Sequence, residues 1–326
     1  MLIKKIVKSI LFSRLGSKLI GAEIFFNFFF KNDTVIFLYH ETAFKPSKFH
    51  EKYNLNIPPD IFEKQIKIIK KNFNVINPEM LKEGNYKTPA ALITFDDGAK
   101  GNFDYAFPIM EKLNCPSLMF LNMAPINGEI FWSGLITYLC DYDEKFKEQV
   151  ISKKKIKTPY FLYLKPNEIE EYLSENASKI YRKAREYYGE FLNVNDLNTM
   201  SKSKLVRFGN HMYQHYNCAL CSKEELTDNF IKNQTEIERF ENSTKLFSYP
   251  FGQKDTCYDN RTNEIISNLG AEGIFAAHPE NFFYNGNVYF RFPISKKFIN
   301  SNFLRAKLLI RKTIIFFRSF FKFYEL

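Results

Sequence analysis

A chain of 326 residues is long enough for one large α/β domain or two small ones, and it carries a net charge of +10 from 46 Lys and Arg against 36 Asp and Glu. With 45% hydrophobic and 25% charged residues, the composition excludes a disordered chain, a collagen-like repeat and a bare coiled coil. Five cysteines cannot staple a chain of this length, and their odd number points to a reducing compartment.

The excess charge is terminal. Residues 1–20 hold Lys4, Lys5, Lys8, Arg14 and Lys18 with no acid, and 301–326 hold six cations against Glu325, so each end carries +5. Residues 21–300 are therefore net neutral, which argues against a basic groove and against nucleic acid as a partner. Large apolar residues alternate with the cations at both ends, the composition of amphipathic helices that lie on an anionic membrane surface or pack on the domain. Neither end has about 18 uninterrupted apolar residues, so a spanning helix is disfavoured. Lys8 and Arg14 interrupt any secretory h-region.

Taken in order, Thr34–His40 reads as a strand and Asp60–Phe73 as a helix announced by Pro58-Pro59. Ala90–Phe95 is a buried strand, Asn102–Leu113 a helix and Ser117–Leu121 a strand. From about 128 to 205 the rhythm changes: Lys153-Lys154-Lys155, then Glu168–Tyr172 and Ala177–Tyr188, read as exposed helices inserted within one domain. Leu246–Tyr249 and Gly273–Ala276 are later strands around a helix near Asp259–Leu269. Such alternation implies parallel βαβ units, hence an α/β barrel or an open sheet. The expected divisions are a basic segment 1–30, a domain 31–298 and a basic amphipathic helix 299–326.

The sharpest local signal is Thr94-Phe95-Asp96-Asp97-Gly98 at the end of an apolar strand. Two consecutive carboxylates fit where a strand stops, and the C-terminal edge of a parallel sheet is where α/β active sites are built. His211 and His215 stand four residues apart, which puts both imidazoles on one helical or turn-like face. With one of the two carboxylates they would make a two-His, one-carboxylate metal site. Cys218 and Cys221 follow closely, but four ligands in eleven residues are too compact for a structural zinc module. The thiols read instead as small buried hydrophobes. Tyr249-Pro250-Phe251-Gly252 would shape a pocket wall after a strand, and His40 ends its own strand at the edge where Asp96 ends another.

Together these segments resemble the polysaccharide deacetylases of the NodB type, carbohydrate esterase family 4. Thr94–Gly98 matches the family's first motif throughout. His211 and His215 match the second, although Met212 replaces its hydroxyl residue. Pro250 and Gly252 match the third, with Ser248 where an Arg is usual. Val35–Thr42 with Pro58–Gln65 is similar to the start of poly-N-acetylglucosamine deacetylases whose catalytic His lies on the N-terminal strand.

The resemblance implies a distorted (β/α) barrel with a helical insertion and amphipathic terminal helices. It implies Asp97, His211 and His215 as ligands of a divalent metal, zinc first with Co, Ni or Fe also suited. Asp96 is then the base and His40 the acid, with an oxyanion donor near Tyr249 and Arg291 standing in for the missing Arg at the substrate. Trp132 is a candidate stacking platform for the sugar. The expected activity is removal of an N-acetyl group from an amino sugar on a nucleotide- or lipid-linked precursor of a surface polysaccharide or lipopolysaccharide. The expected location is cytoplasmic, at the inner face of the membrane through 1–20 and 301–326. Two rivals are a carbohydrate binder without turnover, its supporting residues replaced by Met212 and Ser248, and a membrane-surface protein with a metal cluster at Cys218 and Cys221.

Overall fold

Eight parallel strands carry the chain in the computed structural model, which describes residues 23–152, 159–173, 177–277 and 288–324. They are β1 (Thr34–Tyr39), β2 (Asn74–Val75), β3 (Ala90–Phe95), β4 (Ser117–Leu121), β5 (Val206–Asn210), β6 (Ser243–Ser248), β7 (Gly273–Ala277) and β8 (Tyr289–Pro293). Their order is β1-β8-β7-β6-β5-β4-β3-β2, and β1 also pairs with β3. Seven strands therefore close a barrel, and β2 adds a short eighth outside the ring. The predicted strands β1, β3 and β4 lie within a residue of expectation. The sequence reading lacked β5 and β8, where Arg207 and Arg291 interrupt the apolar run.

Strand alternation divides the core in two. Ile36, Leu92, Leu118, Phe120 and Phe275 pack together inside the barrel. Phe37, Ile93, Met119, Phe208 and Phe292 face the surrounding helices. Those helices include α1 (Glu23–Phe30), α2 (Pro59–Asn72) and α3 (Phe107–Lys112). The predicted helix Asn102–Leu113 opens with a π-helical turn at Asn102–Ala106. Pro108 lacks the N–H that would close an ordinary turn there.

The insertion builds a second core rather than a set of exposed helices. Its α4 (Trp132–Tyr142) and α5 (Ala177–Tyr188) bury Leu135, Ile136, Leu139, Ala184 and Tyr188 against one another. Lys153-Lys154-Lys155 lie outside the described residues. Toward the C-terminus, α6 (Lys223–Ile237) and α7 (Asn260–Asn268) precede β6 and β7, and α8 (Ser301–Tyr324) ends the described chain. Leu304, Leu308 and Leu309 of α8 are buried, and Arg305 reaches Glu23 of α1 at 3.0 Å. The first half of the C-terminal helix thus packs on the domain. Among the described residues no helix is long and apolar enough to cross a membrane. The basic segment 1–20 lies outside the described residues.

Contact between α4 and α5 is tightest at Gly134, where a Cβ would stand 2.2 Å from Cδ1 of Tyr188. Gly134→Leu is expected to force the two helices apart and cost about 1–3 kcal/mol. Urea denaturation checks this, and an unchanged midpoint would refute the close packing.

Candidate active site

Register brings the motifs to one rim. Tyr39 of β1 is opposite Phe95 of β3, and Leu121 of β4 is opposite Asn210 of β5. The residues that follow, His40, Asp96, Asp97 and His211, therefore emerge at the same C-terminal edge. The backbone then turns sharply at Asp97 (φ 71°) and Gly98 (φ 86°). Left-handed backbone at a non-glycine residue is strained, and a strand end held by its neighbours is where such strain persists.

Asp97, His211 and His215 converge as a buried trio whose ligand atoms all lie within 4.8 Å of one another. His215 Nε2 is 3.1 Å and His211 Nε2 3.5 Å from Asp97 Oδ1. The two histidines sit on a loop after β5, not on a helix, and Met212 and His215 both have positive φ. Buried Asn122 fixes this loop by donating to the carbonyls of His211 and Met212. Asn210 Oδ1 accepts from the Met212 N–H at 2.9 Å and from Asn233 Nδ2 at 2.7 Å. Met212 itself is fully buried in an apolar cluster.

His211 Nδ1 donates to the Ser248 carbonyl at 2.8 Å, which leaves Nε2 bare toward Asp97. Asp97 Oδ1 is buried without a hydrogen-bond partner. A carboxylate oxygen orphaned between two imidazoles is what a divalent cation would satisfy, so the residues present fit a metal of the zinc type. Burial alone would raise the Asp97 carboxyl, but His215 and His211 hold it well below the usual carboxylate range.

Asp96 is neutralised differently. Arg291, on the inward-facing set of β8, donates from Nη1 and Nη2 to Oδ1 and Oδ2 at 2.6 and 2.7 Å. Its Nη2 also donates to Ser248 Oγ at 2.6 Å. Burial pushes the Asp96 carboxyl up, and the Arg291 guanidinium and His211 more than reverse it, so it stays ionised. Arg291 thus stands beside Ser248, where the family's usual Arg is missing, with its guanidinium fork committed to Asp96 at the lining of the cavity.

These side chains surround a cavity of about 270 Å³. His40 lines it, and burial lowers the basicity of that ring against the opposing pull of Asp97 and Asp96. Ser133, Thr137, Phe131 and Phe161 of the insertion form one wall, and Phe251 faces them. Of Tyr249–Gly252, Phe251 alone lines the cavity. Tyr249 points into the core, stacked on Tyr258 with centroids 4.5 Å apart, and its N–H donates to the Phe275 carbonyl. It cannot serve as the oxyanion donor. Trp132 is also displaced from its expected role: it is 6% exposed and packs edge-on against Tyr216 within the insertion core.

Cys218 and Cys221 are buried free thiols that donate to backbone carbonyls, and no four-ligand cluster exists among the described residues. Burial pushes the Cys221 thiol up to about 12. Sequence reasoning missed Asn122 and Ser133, because one polar residue in an apolar run carries no periodic signal.

Arg291→Met leaves Asp96 buried and uncompensated, and is expected to destabilise the fold by about 3–5 kcal/mol. The gap to wild type should narrow in acid. The native Asp96 value is depressed, so its contribution is full above the unfolded value of about 3.9 and is lost as pH falls through the native one. Denaturation at several pH values checks both the size and the sign.

A family model for polysaccharide deacetylase matches residues 83–274, more than half of the chain. No curated protein matches it in sequence. Among solved structures, a de-N-acetylase from Aggregatibacter actinomycetemcomitans is similar with a TM-score of 0.56 at 15% identity, covering 84% of this chain and 99% of its own. The deacetylase PplD from Streptococcus pyogenes, solved with acetate, and IcaB from Ammonifex degensii each give 0.54 at 15% identity over 84% of this chain and 97% of theirs. These likenesses establish the distorted (β/α) barrel. With the family match, they make this chain a member of the polysaccharide deacetylases of the NodB type, carbohydrate esterase family 4.

Proposed function

We propose that the chain is a metal-dependent hydrolase that removes the N-acetyl group from an amino sugar of a surface polysaccharide or lipopolysaccharide precursor. The observation that carries this is the orphaned Asp97 Oδ1 facing two imidazole Nε2 atoms at the floor of a cavity. A divalent cation held by Asp97, His211 and His215 supplies a Lewis acid for the acetamide carbonyl and lowers the pKa of water.

The protein does the rest. Asp96, kept ionised and oriented by Arg291, takes the proton of the attacking water. Both of its oxygens face Arg291, yet each retains a lone pair for this task. Phe251 follows Pro250 at the cavity wall, and its N–H makes no hydrogen bond among the described residues. That amide is the candidate donor to the developing oxyanion. His40 hands a proton to the departing amine, and the burial that lowers its basicity makes its protonated form a stronger acid. The products are acetate and a free amino sugar.

A cavity of about 270 Å³ is at the small end of ligand pockets and suits one sugar residue between Phe131, Phe161 and Phe251. Such a size supports a substrate that presents a single N-acetyl sugar, as a nucleotide- or lipid-linked precursor does. The +5 of residues 1–20 supports an anionic membrane surface, on the cytoplasmic side, as the place of action; in the C-terminal helix Arg305 and Lys312 are instead paired with Glu23 and Asp33.

Asp97→Ala is expected to abolish stoichiometric metal binding and to lower kcat/KM for acetate release by at least about a thousandfold. Retention of both metal and hydrolysis would exclude the mechanism. His40→Gln should keep the metal and lose about 10²–10⁴ in kcat. Acetate release from N-acetylated oligosaccharides and nucleotide sugars measures both, and metal without turnover in the wild type would indicate a binding protein.

A further inference from the structure

The two histidines of the site are supported in different ways. His211 Nδ1 faces a carbonyl, which can only accept, so that ring is fixed with its proton on Nδ1. His215 Nδ1 instead meets the hydroxyl of Ser133, which reaches it from α4 of the insertion, 82 residues away in sequence. Ser133 is 1% exposed. Its hydroxyl does not cap its own helix, whose start has no side-chain cap. Thr137 Oγ1 donates to the Ser133 carbonyl at 2.6 Å and pins the turn that presents it. Besides Asp97, the other groups against the His215 ring are aromatic: Phe131, Phe251 and His211, with centroids 4.8–5.3 Å away.

We propose that Ser133 is the positioning residue that holds the His215 ring for metal ligation, an inference that rests on the metal-dependent reading above. With Nε2 given to a cation the ring proton would reside on Nδ1, and Ser133 Oγ is placed to accept it. The helical insertion therefore completes the metal site through the Ser133 hydroxyl at His215 Nδ1.

The test is calorimetric titration of the metal-stripped full chain with Zn²⁺, and with Co²⁺ for its absorption spectrum. Wild type should take one equivalent, and Ser133→Ala should bind about 10–100-fold more weakly. Ser133→Thr and Ser133→Val have nearly the same shape, so recovery of affinity by Thr and not by Val isolates the hydroxyl from packing. The metal-free variants should melt close to metal-free wild type. Equal affinity in wild type, Ser133→Ala and Ser133→Val would overturn the proposal and leave the metal reading intact. A wild type that takes no equivalent, or that binds as tightly after Asp97→Ala, would overturn the metal reading and this proposal with it.

Discussion

Two adjacent carboxylates buried at one strand end are the constraint from which the rest of the site follows. Neither can be ionised in a dry interior without a compensating charge; His211 stands 3.5–3.6 Å from both, and each has a further partner of its own. Asp96 continues the inward-facing series of β3 and meets Arg291 from β8, a guanidinium whose fork matches both oxygens. Asp97, thrown into left-handed backbone, turns instead to His211 and His215. The division produces one carboxylate that stays charged beside a cation of the protein's own, and one with an unsatisfied oxygen. The two acids are thereby distinguished by environment alone, as the proposed roles of proton acceptor and metal ligand require.

The insertion has more weight in this arrangement than its position between two family motifs implies. Its helices have their own apolar core, closed by contacts as tight as that of Gly134 on Tyr188. It is tied to the barrel by Lys52, Tyr53 and Asn217, which reach Asp141 and the Leu162 carbonyl. A rigid second core can present a wall to the cavity with fixed geometry, which a loop of equal length could not.

Much of the barrel was legible in the sequence because β1, β3 and β4 are unbroken apolar runs, buried on both faces as parallel strands are. The short strands were not. In β5 and β8, five residues each, a single Arg removes the apolar signature, and nothing local says that Arg207 lies at the outer end while Arg291 points into the barrel. The trio of Asp97, His211 and His215 was legible because two separate segments resemble motifs of one family, not because the spacing of either is specific by itself. The aromatic expectations failed for a common reason: Trp132 and Tyr249 are as well suited to a core as to a pocket. Which they occupy is decided by tertiary packing that no local pattern encodes.

The ring closes at β1, which pairs with β3 on one side and β8 on the other. Asp96 is separated by 195 residues from the guanidinium that neutralises it. A nascent chain therefore holds its acidic pair, its His pair and most of the barrel before the last strand leaves the ribosome, and none of these can settle until it does. Assembly of the reaction centre is accordingly a late, long-range event in folding, and truncation ahead of residue 291 would leave an open barrel with uncompensated acid at its rim.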